Sequence, residues 1–261
     1  MSADKRIFFH TGLERTATTF LQKNVFPKIQ GLTYVPKKRF FHFLESNSDY
    51  PPGKYLVTHE FNMGYKEMIT AFSQNVQGDV YPLLMLRKPS AWLYSQYKRL
   101  LKIGETSTIS SFFDPENLKS SDLNHDALNY LEKIHHLEDT FGNKPKVIIY
   151  DQLKEKPQDL VTEIADWMGA DLDANEIDFS PRHVSYSEKQ LKFFLWICQN
   201  IENDFIKDKK WFRYPMLHLA RLVPERFYEH VEWPTSNYFL TIDEMYREDW
   251  KRCLEYAQKK Q

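Results

Sequence analysis

The chain has 261 residues, of which 42% are hydrophobic and 15% aromatic, enough to bury one sizeable core in a single α/β domain spanning residues 1–261. A formal net charge of -1 excludes a protein that coats nucleic acid through a general surplus of Lys and Arg, so any anion must be bound locally. There is no run of about 18 apolar residues, and charged Asp4, Lys5 and Arg6 lead straight into a strand-like segment, so the expectation is a cytoplasmic protein with no signal peptide and no membrane span.

In chain order, Ile7–His10 is the first of four short apolar runs that read as buried parallel strands. A polar turn follows, and apolar spacings of three and four over Thr16–Lys23 predict a helix. Tyr55–Thr58 is the second strand and Leu83–Arg87 the third, with helices expected at Ala91–Ile103 and Asp126–Phe141. The fourth strand, Val147–Tyr150, precedes a helix at Gln158–Met168 that Gly169 stops. Alternating strand and helix imply a parallel sheet. Beyond Asp178 only helices are expected, Ser187–Ile201 and Ile242–Gln258 the clearest, with a Pro-punctuated, aromatic-rich stretch between them, which reads as a cap on the sheet. Cys198 and Cys253 lie inside these helical stretches and read as buried free thiols. No repeat, low-complexity tract or linker marks a second domain.

The segment from His10 to Leu21 leaves a strand and enters a helix, the setting in which backbone N–H groups and the helix dipole bind an anion. Gly12 permits the tight turn, Arg15 supplies a cation, and the hydroxyls of Thr16, Thr18 and Thr19 can donate to phosphate oxygens. A Thr-capped helix without chemistry is the plain alternative. The nucleoside-triphosphate loop Gly-x-x-x-x-Gly-Lys-Ser/Thr does not fit, because Ala17 and Thr18 stand where Gly and Lys would fall.

The stretch Glu14-Arg15-Thr16-Ala17-Thr18-Thr19 resembles instead the 5′-phosphosulfate loop of the sulfotransferases that use 3′-phosphoadenosine 5′-phosphosulfate (PAPS), written Pro-Lys-Thr-Gly-Thr-Thr. Glu14 replaces Pro, Ala17 replaces Gly, and Arg15 replaces the Lys to which the family assigns the leaving phosphate. Arg keeps the charge but offers a planar fork in place of a point charge. Arg87-Lys88-Pro89 with Ser95 and Tyr97 is similar to the family's 3′-phosphate motif, Arg-x-Pro-x-x-Arg-x-x-Ser-x-Tyr. Arg87 and Ser95 hold the matching positions, and Trp92, read as a core residue, replaces the middle Arg. Val147–Leu153 followed by Pro157, and the final helix with Tyr246–Asp249, echo the family's framework.

The resemblance implies an α/β, P-loop-like three-layer fold with a central parallel sheet and a C-terminal helical cap. It also implies a nucleotide site of Gly12, Arg15, Thr16, Ala17, Thr18, Thr19, Arg87 and Ser95. PAPS is then the co-substrate, and no metal is expected because sulfate carries less charge than phosphate. The acceptor is a hydroxyl or amine, for instance of a glycan or a small metabolite. Its proton calls for a base, and His59 and Glu60 follow the second strand at its carboxyl end. Family members that sulfate carbohydrates often carry Glu there, which puts Glu60 first and His59 second, with Arg15 stabilising the leaving group. His10 and Asp151 also end strands and rank lower. Arg182 and His183 read as a loop able to close over the nucleotide or as a plain loop. A catalytically silent nucleotide-binding protein and a P-loop-like kinase are the competing readings.

Overall fold

The computed structural model describes residues 5–61, 64–105, 107–121, 123, 125–180, 186–200, 215–216, 218–220 and 222–259; Arg182 and His183 lie outside them. The described residues form two compact units, one from Met1–Lys88, Ala127–Phe179 and Tyr246–Gln261, the other from Pro89–Asp126 and Ser180–Met245.

The first unit holds a five-stranded sheet of β1 (Arg6–Gly12), β2 (Thr33–Val35), β3 (Lys54–Thr58), β4 (Asp79–Leu86) and β5 (Lys146–Ile149). All neighbouring pairs are parallel and the order is β2-β3-β1-β4-β5. Successive side chains alternate between the two faces. Phe8, Leu56, Leu83, Met85 and Ile148 pack with Leu160, Val161, Ile164 and Met168 of the helix Pro157–Trp167 on one face. On the other, Phe9 stacks on Phe72 at 3.9 Å and lies 6.0 Å from Phe40, which binds the helices Phe40–Glu45 and Tyr65–Asn75 to the sheet. Buried on both faces, the strands are short apolar runs of the kind the sequence displays.

Four strands lie where the sequence places them, with shifted ends. β4 begins at Asp79, ahead of Leu83, and carries Pro82 one residue before its pairing with β5 starts at Leu83. The fourth expected strand stops at Ile149, since Tyr150 opens a short helix, Tyr150–Glu155. β2 was not legible because it is a three-residue edge strand with one buried side chain. The helix expected at Thr16–Lys23 begins at Thr18, runs as α-helix to Phe20, widens to a π-helix over Leu21–Val25 and tightens to a 3-10 turn at Phe26–Lys28. Pro27, which has no N–H to donate, stands in that turn.

The second unit is helical, with helices Pro89–Lys102, Ile109–Phe112, Glu188–Asn200 and Ser236–Met245. Its core includes Trp92, Tyr97, Phe113, Phe194 and Tyr228, and Tyr238 Oη donates to the Phe113 carbonyl at 2.7 Å. The helix expected at Ala91–Ile103 thus belongs with the helices of the second unit. The long helix expected at Ile242–Gln258 is two, Ser236–Met245 and Arg247–Gln258, broken at Tyr246, and the second packs in the sheet unit. No helix among the described residues is long and apolar enough to cross a membrane. Neither Cys198 nor Cys253 is in a disulfide; Cys253 is buried as expected, whereas Cys198 is half-buried.

Candidate active site

β1 is the central strand, with β3 on one side and β4 on the other. The segments leaving their carboxyl ends converge, as they do at the ligand crevice of open parallel sheets. Two backbone bonds record it, His59 N–H to the His10 carbonyl at 3.0 Å and Phe61 N–H to the Gly12 carbonyl at 3.1 Å. Gly12 sits at φ 149°, where an L side chain is strained, and a Cβ there would also crowd the Met85 carbonyl of β4 at 3.3 Å.

The turn that follows is built from left-handed residues that are not glycine, Arg15 at φ 70° and Ala17 at φ 67°. An L-residue there costs roughly 1–2 kcal/mol, and such conformations persist where the surroundings over-determine them. Thr16 is buried with its hydroxyl on the Leu13 carbonyl at 2.8 Å, which pins the turn. Arg15 and Thr19 are exposed. Ala17 occupies the position where the resembled loop has glycine, and its positive φ is the physical reason glycine suits it.

Glu60 is tied into this loop. Its Oε1 accepts from the Thr18 hydroxyl and its Oε2 lies 2.8 Å from Lys37 Nζ, while Lys37 also stands 3.9 Å from Glu14. The Glu60 side chain is only 7% exposed. Burial raises its pKa, and the hydrogen bond and charge of Lys37 work against that rise. Of the loop threonines, Thr16 and Thr18 therefore spend their hydroxyls inside the protein, while Thr19 faces outward.

His59 points to other surroundings. Its ring stacks on Phe61 at 4.6 Å, lies 4.3 Å from Phe40, and has a buried Nδ1 with no hydrogen-bond partner among the described residues. Burial first, then the Lys37 charge, lower its pKa to about 4, so the ring is neutral at neutral pH. His10 is fully buried behind the loop, its Nδ1 2.7 Å from Thr58 Oγ1, and burial lowers its pKa to about 3. That hydroxyl also accepts from Gln22 at 3.0 Å, which makes His10 part of the internal scaffold. Asp151 pairs with Lys154 at 3.5 Å on the surface.

Arg87, just beyond β4, donates through a terminal guanidinium nitrogen to the Arg15 carbonyl at 3.2 Å, so the second motif is physically joined to the first. Its guanidinium lies 4.5 Å above the Tyr150 ring, and its buried Nε has no partner among the described residues. A buried donor left over in this way suits an anion. Ser95 is buried in the helix Pro89–Lys102 of the second unit, and Trp92 of the same helix is 2% exposed and serves the core.

Sequence reasoning missed Lys37 and Tyr150. Lys37 lies 23 residues before Glu60 in an unmotivated basic triplet, and only the adjacency of β2 to β3 brings the two together. Tyr150 had a signal, its place at the end of a strand whose neighbours carry the site. Among the described residues there is no grouping of three or more His, Cys, Asp or Glu side chains able to hold a metal ion.

No protein-family model matches the chain, and no curated protein does. Solved structures do match. A sulfotransferase from Alicyclobacillus acidocaldarius is 16% identical, the alignment covering 88% of this chain and 97% of that one with a TM-score of 0.51. Mouse sulfotransferase SULT7A1, solved in complex with PAP, is also 16% identical, over 96% of this chain and 88% of that one with a TM-score of 0.52. At this identity the likeness is one of fold, and the fold of this chain is that of the sulfotransferases.

Proposed function

We propose that the chain, as one catalytic domain, is a PAPS-dependent sulfotransferase that transfers a sulfuryl group to a hydroxyl or amine of an acceptor such as a glycan or small metabolite. The observation that carries this reading is the joining of the two expected anion sites. The left-handed loop after β1 and Arg87 after β4 are bonded to each other at the carboxyl edge of a parallel sheet, and a buried guanidinium nitrogen of Arg87 is left for a ligand. PAP, the nucleotide product of PAPS, is in the SULT7A1 structure of like fold.

In this reading Gly12, Arg15, Thr16, Ala17, Thr18 and Thr19 hold the 5′-phosphosulfate through backbone N–H groups and the Arg15 charge, and Arg87 with Ser95 holds the 3′-phosphate. PAPS supplies the activated sulfuryl group. The protein places the acceptor in line, stabilises charge on the leaving phosphate oxygen through Arg15, and takes the acceptor proton on Glu60. Glu60 is suited to that because burial opposes its charged form, and His59, neutral and beside it, is the second candidate. A kinase is disfavoured by the loop, which has Ala17 and Thr18 at the positions of the kinase Gly and Lys.

Calorimetric titration with PAP, ATP and ATP plus Mg²⁺ tests the reading. PAP is expected to bind tightest without metal, Arg87→Ala to cost about 30-fold or more in PAP affinity, and Ser95→Ala less, about 1 kcal/mol. ATP binding as tight as PAP binding, or Arg87→Ala with the parent affinity, would count against it.

A further inference from the structure

Lys37 is a cation that neither phosphate motif contains. It stands in the 3-10 turn Lys37–Arg39 directly after β2, with its ammonium 2.8 Å from Glu60 Oε2 and 3.9 Å from Glu14 Oε1. Glu14 opens the anion loop, and Thr18, which donates to Glu60, closes it. One lysine acting through two carboxylates therefore straps the two ends of the loop. The members of the strap differ in freedom, since the Lys37 side chain is 40% exposed and that of Glu60 is 7% exposed. A lysine on a flexible four-carbon stem can leave the pair, and the buried acid cannot follow it.

An anion arriving at this loop meets Glu14 and Glu60, both of which oppose it while ionised. Their shared cation, itself 40% exposed, stands beside the same loop, and a multiply charged phosphate draws it more strongly than a single carboxylate does. On the sulfotransferase reading, we propose that Lys37 is a movable ligand of the 5′-phosphosulfate. It holds Glu60 and Glu14 in the nucleotide-free protein and passes to the phosphosulfate when the nucleotide binds, leaving Glu60 to act as the base.

The exchange places two useful changes on one motion. Glu60 loses the partner that favours its charged form, which strengthens it as a proton acceptor, and the other groups acting on it, the Thr18 hydroxyl and the Glu14 carboxylate, do not replace that cation. Lys37 gains the oxygen on which charge grows. In the transfer the acceptor oxygen forms a bond to sulfur and gives its proton to Glu60, while the bond from sulfur to the 5′-phosphate oxygen breaks and its electron pair stays on that oxygen.

The test is calorimetric binding of two probes, PAP and adenosine 3′-monophosphate, to the parent, Lys37→Met, Glu60→Gln and the double variant. Lys37→Met is expected to weaken PAP by about tenfold or more and to leave adenosine 3′-monophosphate unchanged, because only PAP carries the 5′-phosphate. Glu60→Gln, which frees Lys37 beforehand, is expected to bind PAP more tightly than the parent, and the double variant to lose that gain. Equal losses for both probes would mark Lys37 as merely structural and overturn the proposal, as would PAP affinity unchanged in Lys37→Met or a gain that persists in the double variant. A parent protein that binds neither probe overturns the sulfotransferase reading itself.

Discussion

Glu60 and His59 are adjacent in sequence yet serve two different environments, one tied to the loop after β1 and the other stacked among Phe40 and Phe61. The difference gives each a distinct signature in a pH profile. If Glu60 takes the acceptor proton, turnover falls as pH drops through a value above the ordinary carboxylate range; if His59 does, the fall comes lower, near about 4. Glu60→Gln is expected to lower kcat about 100-fold and to abolish the acidic limb, while His59→Ala keeps it. Sulfuryl release from PAPS followed across pH decides between them, and full turnover in Glu60→Gln would transfer the role. Ala17 offers a separate test. Relief of its left-handed strain, less the extra flexibility glycine brings to the unfolded chain, predicts that Ala17→Gly stabilises the protein by up to about 1 kcal/mol in urea denaturation. A destabilised variant would show that the turn is not strained at that residue.

At the level of elements, the helix Tyr130–Phe141 shows how tertiary contacts finish what local sequence leaves open. Its N-cap, Asn129, makes no side-chain capping bond, and the free N–H groups of Tyr130 and Leu131 donate instead to Asp249 of the helix Arg247–Gln258, at 3.2 and 3.1 Å. Burial raises the Asp249 pKa, and these two N–H groups act against the rise. In the sequence Tyr246–Asp249 is no more than a family-like ending, whereas the structure makes Asp249 a cap supplied from more than a hundred residues away. Asp249→Ala is expected to cost about 1–2 kcal/mol of stability, with Asp249→Asn retaining much of it because its amide oxygen still accepts. Denaturant midpoints of the two variants provide the comparison. Equal losses would mean that the charge, and not the acceptor, carries the contact.

The whole molecule has one property that follows if the proposed anion site is built on the central strand of its sheet. A ligand that binds only the folded chain stabilises it by mass action, so PAP at about 100 times its Kd is expected to raise stability by about 2.7 kcal/mol. Because the loop and Arg87 both belong to the sheet unit, Arg87→Ala is expected to lose most of that gain at the same PAP concentration. The rise is expected to be the same with and without EDTA, since the proposed site uses backbone N–H groups and side-chain cations. Thermal melts with and without PAP provide the measurement, and a chelator-sensitive shift would point to metal-dependent nucleotide binding.

By itself the sequence determined the parallel sheet, because strands buried on both faces must be apolar runs such as Ile7–His10 and Val147–Ile149, and helices between them must repeat every three to four residues. It also placed Gly12, Arg15, Arg87 and Glu60 at strand ends, where position in the chain already implies the carboxyl edge. Only the tertiary structure decided what these residues touch. The edge strand β2 is too short to announce itself, yet it delivers Lys37 to Glu60. The left-handed turn at Arg15 and Ala17 is invisible in residue types that ordinarily avoid it. Local periodicity records which face of an element is buried, whereas pairing of distant segments depends on strand order, and that order is a property of the packed sheet.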